Sequence, residues 1–198
     1  MSKSRFEAFS DGVFSFAVTL LILGIVLPQM RAPSENDLTT ALLRLWPNVL
    51  AYALSFAVIG IMWQNHHALF RKVANIDRRT VFINLMLLGA TVFVPFATTT
   101  LGMYPSMRTS TFLYGLVLTT IAILFNLLLK HLIDAHAFVQ DVTADVIKPT
   151  VVAYRFGLIG YVCAMFLALA SPAASFIAYL GIAAYYLIPR GLDADIRQ

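Results

Sequence analysis

The chain has 198 residues, of which 60% are hydrophobic and only 12% charged, with a formal net charge of +4. Soluble domains carry about 25% charged residues, so this composition excludes a soluble enzyme or binding module and indicates one membrane-buried unit. The lone cysteine, Cys163, lies in an apolar run and cannot form an intrachain disulfide, which makes it a packing residue.

A membrane-crossing helix needs about 20 mostly apolar residues, and six stretches fit that template. The first is 9–29, ended by Pro28 and the polar stretch RAPSEND. Its lead, MSKSR, mimics a signal peptide, but Glu7 and Asp11 are wrong for a basic n-region and VLPQMRAPS offers no small-x-small cleavage site, so the segment is expected to stay. Residues 37–46, DLTTALLRLW, read as a short interfacial helix with Trp46 at headgroup level. Pro47 opens the second span, 47–68, which ends in WQNHHALF. The third, 80–101, contains Pro95, which should kink it unless Thr98, Thr99 and Thr100 satisfy the broken backbone. The fourth is 110–130, and a polar connector separates it from the fifth, 151–170. Ser171–Pro172 turns the chain into the sixth, 173–188, closed by Pro189–Arg190–Gly191. The expected fold is an all-α membrane protein, a single six-helix domain over 1–198.

Lys and Arg positions set orientation. With the N-terminus in the cytoplasm, Lys3, Arg5, Arg71, Lys72, Arg78, Arg79, Lys130, Lys148, Arg155, Arg190 and Arg197 fall on the inside or at its edge. Only Arg31, Arg44 and Arg108 fall outside, so both termini are expected in the cytoplasm. The basic residues follow topology, and no nucleic-acid partner is implied.

The first span holds the main functional candidates. On a helix turning about 100° per residue, Gly12, Phe16, Thr19, Leu20, Leu23 and Leu27 fall within about 60° of one line. That stripe, apolar but for one hydroxyl, has the character of a pore wall, although ordinary helix–helix packing would produce the same pattern. Asp11 near the start of a span is costly unless paired. Arg5 and Asp11 are about 120° apart on the helix, so each should seek a partner on another element. Ser10 or Asp11 acting as an N-cap is the alternative reading. In WQNHHALFRK, Trp63, His67 and Phe70 share a face, with His67 expected to hydrogen-bond Asp11 or Ser10 at the cytoplasmic edge. Adjacent His66 and His67 diverge by about 100° and make poor co-ligands, so no metal site is expected. Asn84 and Asn126 read as interhelical hydrogen-bonding residues. No Walker loop, HExxH, GxSxG or CxxC occurs, so no enzymatic chemistry is expected.

The run RFEAFSDGVFSFAVTLLIL, with Arg5, Phe9, Ser10 and Asp11, resembles the R-x-x-x-F-S-D signature that opens the first helix of the lysosomal potassium channel family known as transmembrane protein 175. WQNHHALF is similar to the corresponding later segment of its bacterial members, and the similarity runs over essentially the whole chain; eukaryotic members resemble two such units fused. The resemblance implies a potassium-permeable homotetramer in the bacterial inner membrane, with K+ as permeant ion and no cofactor, built around a central pore lined by the first helix. By motif position, Phe16 matches the family's hydrophobic constriction, commonly Ile or Leu, and Leu20 and Leu23 continue it. Thr19 matches the hydroxyl layer tied to selectivity and Ser15 a neighbouring hydroxyl. Arg5, Phe9, Ser10, Asp11, Trp63 and His67 resemble the network bracing the helix. A secondary transporter would need matched helix breaks in two pseudo-symmetric halves, and Pro95 supplies one only. A non-conducting membrane scaffold is the remaining alternative.

Overall fold

The computed structural model describes residues 2–140, 142–188 and 192. Helix α1 runs Lys3–Leu20 and tightens into a 3-10 turn over Leu21–Gly24. Next come α2 (Glu35–Arg44), α3 (Trp46–Arg71), α4 (Arg78–Val92), α5 (Val94–Met103), α6 (Arg108–Asp134), α7 (Ala144–Leu167) and α8 (Pro172–Tyr186). Among the described residues the sole β-type pairing is an isolated antiparallel bridge, Val73 with Phe138.

Among the described residues, five helical segments are long and apolar enough to cross a bilayer: Lys3–Gly24, Trp46–Arg71, Arg78–Met103, Arg108–Asp134 and Ala144–Leu167. The sixth expected span corresponds to α8, which has 15 residues. At about 1.5 Å per residue that is roughly 22 Å, against about 30 Å of hydrocarbon. Its closing Pro189–Arg190–Gly191, and Arg197, lie outside the described residues.

Local chemistry sets the helix ends. Ser34 and Asp37 form a reciprocal capping box at the start of α2. The Asp77 carboxylate accepts from Thr80 N at 2.7 Å and starts α4. Ser171 Oγ accepts from Ala174 N at the head of α8, with Pro172 in its first turn. Pro95 breaks the third span at Phe93, separating α4 from α5. The three threonines do not mend that break. Thr98, Thr99 and Thr100 donate instead to Val94, Pro95 and Phe96 carbonyls within α5. Its proton given to Val94, Thr98 Oγ1 accepts from Ser55 Oγ at 2.7 Å, and Ser55 Oγ lies 3.0 Å from Tyr114 Oη, tying α5, α3 and α6 together by buried hydroxyls.

The bundle is organised about α6, whose buried face packs against α4, α5 and α7. At Gly115 an added Cβ would lie 2.0 Å from the Tyr179 hydroxyl, so only glycine permits this approach of α8. That hydroxyl donates to the Thr111 carbonyl.

One end of the bundle gathers the N-terminus, the α3–α4 turn and the α6–α7 connector. Lys3 Nζ donates to the Val73 carbonyl at 2.7 Å. Val139 N donates to the Lys72 carbonyl at 3.0 Å, and His131 Nε2 lies 3.0 Å from Asp77 Oδ2. Leu192 N donates to Thr150 Oγ1, which brings residue 192 to this end too.

Candidate functional site

The sequence of α1 sorts itself into two faces. Phe6, Ser10, Phe14, Ala17 and Leu21 recur at intervals of three and four, and all are buried. They pack on α3 and α4 and, near the 3-10 turn, on α5. Gly12 and Thr19 fall about 160° to 180° from the midline of that buried face. Phe16 is 61% and Leu23 68% exposed, and Gly12, Ser15, Thr19 and Leu27 are exposed with them. Leu20 is half-buried at the shoulder. The stripe read from periodicity is therefore the face that nothing in the subunit covers. Thr19 Oγ1 donates its proton to the Phe16 carbonyl at 2.9 Å. With the donor spent inside the helix, the hydroxyl oxygen turns lone pairs outward.

A chain of buried polar groups holds the other face. Ser10 Oγ donates to the Phe6 carbonyl at 3.1 Å and accepts from Asn84 Nδ2 at 3.0 Å. His66 Nε2 donates to Asn84 Oδ1 at 2.9 Å, which requires Nε2 to carry the proton. The imidazole sits among Phe6, Phe14 and Phe70, with ring centroids 6.3, 5.4 and 4.5 Å away. Each polar group of this chain is satisfied inside an apolar setting, where an unpaired one would cost about 1–3 kcal/mol. Beside it, Trp63 Nε1 donates to Asp11 Oδ1 at 2.9 Å, a second link from α3 to α1.

Residues 5–95 match the family model described as "Endosomal/lysosomal potassium channel TMEM175". A potassium channel of Streptomyces collinus is 39% identical over 189 residues, covering 93% of this chain and 91% of that protein. The TMEM175 family is the one to which this chain belongs. A potassium channel of Chamaesiphon minutus is 41% identical over 157 residues, 77% of each chain. The chain is also similar to the crystal structure of a lysosomal potassium-selective channel TMEM175 homolog from that organism, with TM-score 0.82, 39% identity, and 93% and 96% of the two chains covered.

Within this TMEM175 chain, the residues of the RFEAFSD run have different surroundings. Ser10 and Asp11 meet partners on other helices, Ser10 fully buried and Asp11 at the half-exposed edge of the helix. Neither is an N-cap, because α1 already begins at Lys3 with Ser2 in the cap position. Arg5 and Phe9 are exposed and lie outside the polar chain; Phe6 occupies the buried position against Phe70, with centroids 4.7 Å apart. On α3 the histidine that enters the chain is His66. His67 is exposed and stacks on Trp63 at 5.8 Å, reaching Asp11 only through that indole. The series Ser55, Ile59, Met62, His66, Phe70 is buried throughout, but the other faces of α3 are nearly as apolar, so the sequence does not single it out. Asn84 joins α4 to both α1 and α3, and Asn126 Nδ2 donates to the Tyr154 carbonyl, joining α6 to α7. Among the described residues no group of three or more His, Cys, Asp or Glu is placed to hold a metal.

Proposed function

We propose that this chain is the subunit of a potassium-permeable cation channel that conducts passively through a central pore walled by copies of α1. The observation that carries the reading is the bare outward stripe of α1, opposite a face that α3 and α4 cover completely. A stripe of this kind encloses a pathway when several copies face one another about an axis. The family resemblance supports four copies, six membrane helices per subunit counting α8, one domain over 1–198, and the bacterial inner membrane as location. The concentration of Lys and Arg at the end holding Lys3, Arg71 and Lys148 supports a cytoplasmic placement of both termini.

In this reading rings of Phe16, Leu20 and Leu23 form the constriction and gate by dewetting, excluding water and hydrated ions when narrow. Rotation or splaying of α1 widens them. The Thr19 oxygen, with Ser15 beside it, then offers lone pairs to a partly stripped cation, and K+ sheds water at lower cost than Na+. Ser10, Asp11, Trp63, His66 and Asn84 keep α1 in register on its own subunit, so that the stripe stays aimed at the axis. Nothing in this scheme needs a cofactor.

The test is cation flux from liposomes containing the full chain, under potassium and then sodium gradients. Uncoupled potassium flux, raised about tenfold by Phe16→Ala, is the expected result, corresponding to about 1.4 kcal/mol removed from a barrier. Saturating flux that requires a co-transported ion would mean a transporter. No flux in either protein, with oligomers intact, would mean a scaffold.

A further inference from the structure

The outer seam between α6 and α7 carries a chemistry that the pore does not use. Two hollows of about 670 and 440 Å³ lie along it and share Ile133, Val151 and Arg155, forming one continuous groove. Toward the bilayer interior the groove is walled by Ile123, Leu127 and Leu158. Ile123 and Leu127 are more than two-fifths exposed, and Val152 and Ile159 on the flank of α7 more than three-fifths. The groove therefore opens onto hydrocarbon, on the side of α6 and α7 away from the helices that hold α1.

Arg155 stands where this apolar groove meets the basic end of the bundle. It lies eleven residues beyond the first residue of α7, about 16 Å along the helix. No charged residue comes after it between 156 and 188. Three basic side chains, Lys130, Lys148 and Arg155, line the groove together with His136. Lys130 is held by Asp134 and Lys148 by Asp145, each at 2.7 Å. Asp134, among the described residues the one carboxylate lining the groove, is thus already taken. Arg155 is exposed and has no hydrogen bond or ion pair among the described residues. An arginine at this depth pairs or extends its guanidinium toward the headgroups along its own apolar stem.

We propose that the α6–α7 groove is a site for an anionic phospholipid of the leaflet at this end of the bundle. Arg155 grips the phosphate with its planar fork, and Lys148 and Lys130 add positive field from the rim. One acyl chain lies between Leu127 and Leu158. Basic pockets between membrane helices suit this headgroup chemistry, and the apolar groove beneath selects a lipid over a soluble anion. The assignment is independent of what α1 encloses.

Native mass spectrometry of the full chain tests it, with the protein taken from micelles doped equally with phosphatidylglycerol and phosphatidylcholine of identical acyl chains. Wild type should retain about fivefold more of the anionic lipid, the preference expected of one charged contact near the surface. Arg155→Gln should bring the two to parity, and Arg155→Lys should keep part of the preference. Leu127→Trp, which fills the groove and leaves its charge alone, should lose both lipids and covers the case in which Arg155→Gln does not fold. Parity in wild type, or an unchanged preference in Arg155→Gln, overturns the proposal. So does displacement of the lipid by inorganic phosphate alone. A change in oligomer mass with lipid retention unaltered would make the groove a contact between subunits and overturn it equally.

Discussion

Helices α1 and α6 are both long, apolar and able to cross a bilayer, yet they live in opposite surroundings. Half of the apolar window of α6 is buried inside the subunit, against 28% of that of α1. The glycines of the two helices show the consequence. A Cβ at Gly115 of α6 would collide with the Tyr179 hydroxyl at 2.0 Å and with Met165 Cβ at 2.9 Å, whereas a Cβ at Gly12 of α1 meets nothing within 4 Å. One helix is a structural axle, and substitutions on it report on folding. The other is held by one face only, and substitutions on its free face report on whatever that face encloses.

The largest effect that would sharpen this contrast is Gly115→Leu. It should destabilise by about 3 kcal/mol through overpacking between α6, α7 and α8, and thermal melting in detergent should show loss of the folded species. Gly12→Ala should leave the melt unchanged or slightly raised, since alanine is the better helix former by about 1 kcal/mol. A matching loss at Gly12 would break the comparison.

Next is the buried chain that fastens α1. Asn84→Ala leaves the His66 Nε2 proton without an acceptor and removes the bond that Ser10 Oγ accepts, so it should cost about 2 kcal/mol. His67→Ala, on an exposed ring, should cost less than about 0.5 kcal/mol. Equal melting shifts for the two would remove His66 from its assigned place.

A smaller effect lies at the end of the bundle, at the start of α4. The Thr80 hydrogen bonds, and then His131, lower the Asp77 pKa from 3.8 to about 2. A depressed carboxylate stabilises above its unfolded pKa and loses that contribution as pH falls through the folded one. Wild type should therefore lose melting temperature between about pH 4 and pH 2, and Asp77→Asn should show a shallower acid slope in that window. An identical slope would mean that the cap does not couple to folding.

The smallest effect belongs to the free face of α1. Thr19→Val should leave the melt alone and lower the potassium-to-sodium permeability ratio about threefold, equivalent to about 0.65 kcal/mol. Reversal potentials in bilayer recordings would read it. An unchanged ratio would take Thr19 out of the cation path and leave its exposure as lipid contact.

Much of this architecture is legible residue by residue. Pro95 dictates where the third span breaks, because it has no N–H to give. Asp77 and Ser171 announce the starts of α4 and α8 because their short side chains satisfy free amides. The outward stripe of α1 is readable because its buried positions, Phe6 to Leu21, follow one helical rhythm. The short length of α8 is readable too, since only sixteen residues, 173–188, separate Pro172 from Pro189.

Composition and periodicity alone thus determined a helical membrane protein and the two faces of α1, because burial in lipid imposes length and helical packing imposes rhythm. Only the tertiary structure decided that His66 and not His67 joins Ser10 and Asn84, that Phe6 and not Phe9 is buried, and that Thr98 turns to Ser55. Helix α3 is apolar nearly all round, so its sequence carries no phase. Neighbouring side chains point about 100° apart, and which of two adjacent histidines faces inward is set by the helices that arrive against it.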